Sequence, residues 1–175
     1  MEELQILTII SNLAVTVSMI IALKQLFLMK ISHQEEYTRN LRQGTIEFYN
    51  EINKEIKDFT YDVIIKKIDL SLDKINSDET LHRKVCRYLS LMERFSAGIN
   101  AHMYDIRIFD RIQGKTTLLM YDALRPYIHS INEKYGTYFY GEFFKVINQI
   151  EKVREERCNA GYSSKSENFS IYEKK

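Results

Sequence analysis

Glycine and proline are scarce in this chain, with 6 Gly and 1 Pro in 175 residues. So few backbone breakers exclude an architecture of many short strands and tight turns, and favour long helices. Cysteine is nearly missing as well: Cys86 and Cys158 are too few and too scattered for a disulfide framework, and fit a reducing compartment. Excess charge of either sign is absent, because 25 Lys and Arg face 24 Asp and Glu for a net +1. No global field therefore draws the chain to nucleic acid or lipid, and any basic surface must be local. The histidines (His33, His82, His102, His129) lack zinc-ligand spacing. His82 and Cys86 share a helix face, but two ligands do not complete a site, and packing accounts for them. No metal or cofactor is expected, and neither a repeat nor a low-complexity linker interrupts the chain.

Against these absences stands one long apolar run. Residues 4 to 23 read LQILTIISNLAVTVSMIIAL, 20 residues without a charge. A helix of that length spans about 30 Å, the thickness of a bilayer core. A cleaved signal peptide would open on basic residues and end at a small-residue cleavage site. This segment opens on Glu2-Glu3 and ends at Lys24, so a transmembrane helix is the better reading. Lys24, Lys30, Arg39 and Arg42 all follow it, which by the positive-inside rule puts the rest of the chain in the cytoplasm. The expectation is a single-pass membrane protein, with its N-terminus outside and its C-terminal domain cytoplasmic.

The run is not uniformly apolar. Gln5, Thr8, Asn12 and Thr16 fall within about 80° of one another on a helix, as one polar stripe. Ala14, Ser18 and Ala22, preceded by Ser11, form a strip of small residues on a neighbouring face. Small residues four apart let membrane helices approach closely, and a buried amide such as that of Asn12 seeks a partner across helices. Two readings stay open: a modestly polar anchor, or a homo-oligomer whose stripe turns toward a shared axis, where a narrow pore becomes possible.

The remainder reads as all-α. Neither Pro nor Gly occurs between Leu4 and Gln43, so the membrane helix (residues 1–30) is expected to continue as a stalk (31–60). Over residues 34 to 59, Leu41, Thr45, Phe48, Tyr49, Ile52, Ile56 and Phe59 share one face. A cytoplasmic helical bundle (61–158) follows. Its expected parts are a shorter helix over 61–75, a cap at Ser77 or Asp78, and a strong helix from 79 to about Asn100. That helix carries a stripe of Leu81, Val85, Tyr88, Leu89, Met92, Phe95 and Ile99. A short helix over about 103–113 comes next, then one from Thr116 that bends near Pro126, and a last helix from Gly141 to about Arg157. Residues 159–175 read as a C-terminal tail.

The stretch GKTT, residues 114 to 117, resembles the end of a phosphate-binding loop. That loop needs a glycine five positions earlier, where Phe109 stands, and no glycine lies between Gly98 and Gly114. The reading is a helix stop at Gly114 with Thr116 or Thr117 as the next N-cap. Such a helix start could hold an anion weakly beside Lys115.

Residues 93 to 128, ERFSAGINAHMYDIRIFDRIQGKTTLLMYDALRPYI, follow this membrane helix and stalk. The arrangement resembles a family of small bacterial membrane-anchored helical proteins classed as a domain of unknown function, over about residues 85 to 145. The resemblance rests on a Glu-to-Gly helix end at 93–98, then Tyr104-Asp105, then Gly114. It implies an all-α membrane-anchored protein of bacterial or phage genomes. In outline the build is similar to the membrane channel of the Hailong anti-phage system, a membrane helix with a helical part under control of a nucleic-acid ligand.

Two sets of side chains are candidates for chemistry. Arg83, Arg87 and Arg94 lie within about 40° on the helix from 79, opposite its apolar stripe. Extended by Lys115, they form either an anion-gripping row for a nucleotide or oligonucleotide, or a solvated face with salt bridges. Arg125 and His129, in RPYIH, resemble the Arg and His pair of helical ribonucleases of the HEPN type, but the spacing is shorter and Pro126 intervenes. No catalytic residues are expected. Three functions follow in order: a ligand-controlled pore or membrane-disrupting effector, possible in anti-phage defence; a non-conducting scaffold or sensor that recruits a partner; and a membrane-tethered nuclease. The expected partners are the lipid bilayer, further copies of the chain and an anionic ligand.

Overall fold

The computed structural model describes the backbone of residues 2–172, with side chains described for Gln5 and for residues 12–159. Every regular element among these residues is a helix, as the scarcity of breakers predicts. The chain divides into two compact units, Met1–Asn40 and Leu41–Lys175.

The first helix, α1, is Glu2–Ile64 and contributes to both units. In the first unit, residues 12–37 are exposed on every face, including Leu13, Val15, Ile20, Leu23, Leu26, Phe27 and Met29. This is the one helix among the described residues long and apolar enough to cross a membrane; its most apolar window has a mean hydropathy of 1.7 and is 0% buried. The apolar surface runs past Lys24 as far as Ile31.

In the second unit α1 becomes one-sided. Thr45, Tyr49, Ile52, Ile56, Phe59 and Val63 are buried at alternating steps of four and three, the seam spacing that faces neighbouring helices. The helix α3 (Glu79–Asn100) brings the matching stripe, with Leu81, Val85, Tyr88, Leu89, Met92, Phe95 and Ile99 all buried. Its N-cap is Asp78, whose carboxylate accepts a hydrogen bond from the Leu81 N–H at 3.0 Å. Phe95 sits at the centre. Its ring lies 5.7 Å from that of Phe48, 5.2 Å from Tyr104 and 4.7 Å from Phe109. Burying one such ring contributes about 2–3 kcal/mol.

Three local expectations are corrected. The helix expected over 61–75 does not form: α1 ends at Ile64, and α2 is only Leu72–Ser77. Between them Lys67 adopts a left-handed φ of 52°. The Asp69 carboxylate accepts from both the N–H and the hydroxyl of Ser71, and the Ser71 hydroxyl caps α2. That local turn outcompetes the helix ladder.

The second correction concerns Gly114, which is not a helix stop. The short helix α4 (Ile106–Phe109) passes through a π-helical turn, Asp110–Gly114, straight into α5 (Lys115–Tyr135). Gly114 has helical φ and ψ of −54° and −40°, so no capping residue is needed, and Thr117 is buried instead. α5 also continues through Pro126 and ends at Gly136, whose left-handed φ of 62° needs glycine's freedom.

The third concerns the C-terminus. α6 is Gly141–Tyr172, longer than the expected end near Arg157, because no proline follows to stop it. Residues 173–175 and the side chains from 160 onward, which hold most of the expected tail, lie outside the described residues.

Candidate functional site

The polar stripe of the first unit is thinner than its composition implies. Asn12, Thr16, Ala14, Ser18 and Ala22 are all exposed, as is Gln5, while the side chain of Thr8 lies outside the described residues. The Thr16 hydroxyl donates to the Asn12 carbonyl at 2.8 Å, one turn back in its own helix. This back-bond satisfies its donor without a second helix. The amides of Gln5 and Asn12 then remain as strong polar groups of the stripe, with Asn12 next to the small-residue strip.

The arginine row on α3 is drawn into ion pairs at its first two members. Arg83 contacts Glu79 on the same helix at 2.5 Å. Arg87 donates through Nε and a terminal nitrogen to Glu55 of α1, at 3.0 and 2.8 Å. Of the three, Arg94 is exposed without such a carboxylate among the described residues. Lys115 is exposed on the first turn of α5. An anion at the row must displace Glu55 and Glu79 from solvated pairs, each worth under about 1 kcal/mol.

Arg125 and His129 are held apart by different carboxylates. Arg125 donates to Asp122 at 2.7 Å and lies over the Tyr121 ring at 5.4 Å, while His129 meets Glu133 at 3.4 Å. Both border a cavity of about 200 Å3 walled by Ile128, Tyr138, Phe139 and Phe144. His82 and Cys86 do converge, on the Tyr127 hydroxyl at 2.8 and 3.3 Å, which makes them a polar node between α3 and α5. Burial pushes the Tyr127 phenol well above its ordinary value, and the Cys86 contact adds to this.

The residues that carry the sequence resemblance all have structural duties. The Glu93 carboxylate accepts from the N–H groups of Glu142 and Phe143 at 3.1 and 2.8 Å, capping α6 from α3. A Cβ on Gly98 would collide with the Tyr104 ring. Asp105 caps α4 by accepting from Arg107 N–H at 2.8 Å and Ile108 N–H at 3.3 Å. Its own N–H donates to the Thr45 hydroxyl at 2.8 Å, and Thr45 donates onward to the Leu41 carbonyl at 2.6 Å.

The sequence profile of the family described as Domain of unknown function (DUF4760) matches residues 12–160. The chain belongs to this family. No curated protein and no solved structure matches it. The DUF4760 match takes in the exposed apolar part of α1 together with the bundle, so both units are parts of one family architecture. In this DUF4760 chain the Glu93, Gly98, Tyr104, Asp105 and Gly114 pattern builds the bundle.

The last member of that pattern exposes what sequence reasoning missed. The Asp110 carboxylate has no exposed side-chain surface, and each of its oxygens meets one guanidinium: Arg154 at 2.5 Å and Arg157 at 2.6 Å. A Cβ on Gly114 would collide with this carboxylate and approach Arg154 to 3.0 Å. Gly114 is therefore the space that lets a charged side chain enter the bundle and be paired there. The available signal was the Arg154 and Arg157 pair one turn apart on α6, but their partner lies more than forty residues away.

Proposed function

We propose that this protein is an oligomeric single-pass membrane protein that acts as a ligand-controlled pore or membrane-disrupting effector. The observation that carries this reading is the apolar surface of α1, exposed on every side from Leu13 to Ile31 and bordered by the exposed Asn12 amide. Lipid satisfies the apolar residues, and a second copy satisfies the amide. In this reading the Ala14, Ser18 and Ala22 strip sets the approach of neighbouring helices. The N-terminus is outside, the bundle is cytoplasmic, and an anionic ligand that prefers one arrangement of the assembly shifts it between states. A role in anti-phage defence at the bacterial inner membrane fits this build. The test is dye and ion release from proteoliposomes, with and without nucleotides. Wild type releases dye in a ligand-dependent way, and Asn12→Leu changes the release. Ligand-independent retention of dye by every preparation removes the pore.

The inward hydrogen bond of Thr16 favours a second reading, a non-conducting membrane scaffold or sensor. Two amides per helix, Gln5 and Asn12, are enough to hold copies together, but line little of a water path. Cysteines placed along residues 12 to 22 separate the cases. Crosslinking at 14, 18 and 22 without dye release points to the scaffold.

A further inference from the structure

Beside the Asp110 clamp, α4, the π turn and α6 border an open cavity of about 240 Å3 lined by Arg107, Arg111, Val153, Glu156 and Arg157. Its volume is several times the roughly 30 Å3 share of a water molecule in the liquid, enough for more than one phosphoryl group. Three guanidiniums thus face one carboxylate across a single cavity. Arg107 and Arg111 stand one turn apart on the same exposed face and enter no ion pair among the described residues, unlike Arg83 and Arg87. Arg157 comes from the facing helix and is half exposed. Asp110 holds it by one terminal nitrogen, out of the five N–H donors a guanidinium carries. The remaining donors are available to a ligand, and the buried pair fixes where they are presented. Asp110 is a positioning residue in this arrangement.

We propose that this cavity binds a phosphate-bearing anion, gripped between Arg107 and Arg111 on one side and Arg157 on the other. Guanidinium forks match phosphoryl oxygens two at a time, and Arg107, Arg111, Arg154 and Arg157 set against the carboxylates of Asp110 and Glu156 leave a positive excess that favours an anion between them. Val153 supplies an apolar wall. The site rests on the proposed function only for its regulatory meaning, since there it becomes the place where the controlling ligand acts. It replaces the α3 row, whose first two arginines are already held by glutamates.

The test uses the full chain in phosphatidylcholine nanodiscs, titrated with sodium tripolyphosphate at low salt and followed by calorimetry and far-UV melting. Wild type binds saturably. The double variant Arg107→Ala, Arg111→Ala binds at least about tenfold more weakly, a loss of about 1.4 kcal/mol, while Arg83→Ala, Arg87→Ala binds like wild type. Equal binding by wild type and the Arg107/Arg111 variant overturns the site, as does absent binding by wild type. If the alanine variant melts early, Arg107→Lys, Arg111→Lys keeps the charge but not the fork; its affinity must still fall at an unchanged melting temperature. A parallel titration in nanodiscs containing phosphatidylglycerol identifies the source of the phosphate. Tripolyphosphate binding suppressed there names a lipid headgroup as occupant, and unchanged binding names a soluble ligand. Dye release reads the pore separately. Binding without any effect on release keeps the site and removes the permeation reading, whereas no binding removes the site whatever the liposomes do.

Discussion

One helix, α1, solves two opposite problems. Within Met1–Asn40 its described apolar side chains, from Leu13 to Ile31, point in all directions and are exposed; within Leu41–Lys175 a seam of them, from Tyr49 to Val63, is buried. Leu23 is 57% exposed and Ile52 only 4%, although both belong to a helix that runs unbroken from Glu2 to Ile64. Composition alone does not decide burial. The period of the apolar residues does, since all-round apolarity calls for a surrounding solvent of the same kind and a 3.5-residue seam calls for another helix.

The largest test of this contrast is a matched pair of truncations. Phe95→Ala should cost the bundle about 3–5 kcal/mol in denaturant unfolding, because four aromatic rings lose their common neighbour. Phe27→Ala should leave the same transition within about 0.5 kcal/mol, since that ring is largely exposed. Equal losses would erase the distinction between the two units. Next in size, Ile20→Lys puts a charge into the exposed apolar segment. It should lower insertion by about 2.5–3.5 kcal/mol and move protein from the membrane to the soluble fraction, with the bundle's unfolding midpoint unchanged.

Gly114→Ala comes third. The added methyl presses on the buried Asp110 carboxylate, and unfolding should show a loss of about 1–3 kcal/mol confined to the bundle. The smallest effect is set by pH. Hydrogen bonds hold four exposed or half-exposed carboxylates below their usual range: Asp78 chiefly by Leu81 N–H, Asp62 by Lys66, Asp69 by Ser71 and Glu142 by Lys145. Folded values below unfolded ones mean stabilisation that is complete above the ordinary carboxylate range, about pH 4, and lost as pH falls through the depressed values. The melting temperature should therefore drop on acidification. Asp78→Asn, which still caps α3, should melt like wild type at neutral pH and drop less in acid.

What the sequence disclosed follows the same division. Short-range signals were legible: the uncharged run to Leu23, the α1 seam, the α3 stripe and its Asp78 cap all depend on residues within a few turns. The misread places are those decided by distant partners. Gly114 reads as a stop until Asp110, Arg154 and Arg157 are seen to meet there. The α3 arginines leave two readings open, an anion-gripping row or a salt-bridged face, until Glu55, 32 residues earlier, is placed against Arg87. The region 61–75 was lost to a three-residue turn at Asp69–Ser71, a signal present in the sequence but weaker than the apolar pattern around it.

The hydroxyl of Thr45 has a consequence for the order in which the molecule opens. Asp105 lies in a connection between helices, where backbone protons ordinarily trade with solvent through small local fluctuations. Its N–H instead ends on a fully buried oxygen of α1, whose own proton is committed to the Leu41 carbonyl. Nothing short of lifting α4 from α1 releases that proton. In deuterium exchange the Asp105 amide should keep pace with the slowest protons of α3, so a single loop position becomes a clock for how often α1 leaves its seat in the bundle.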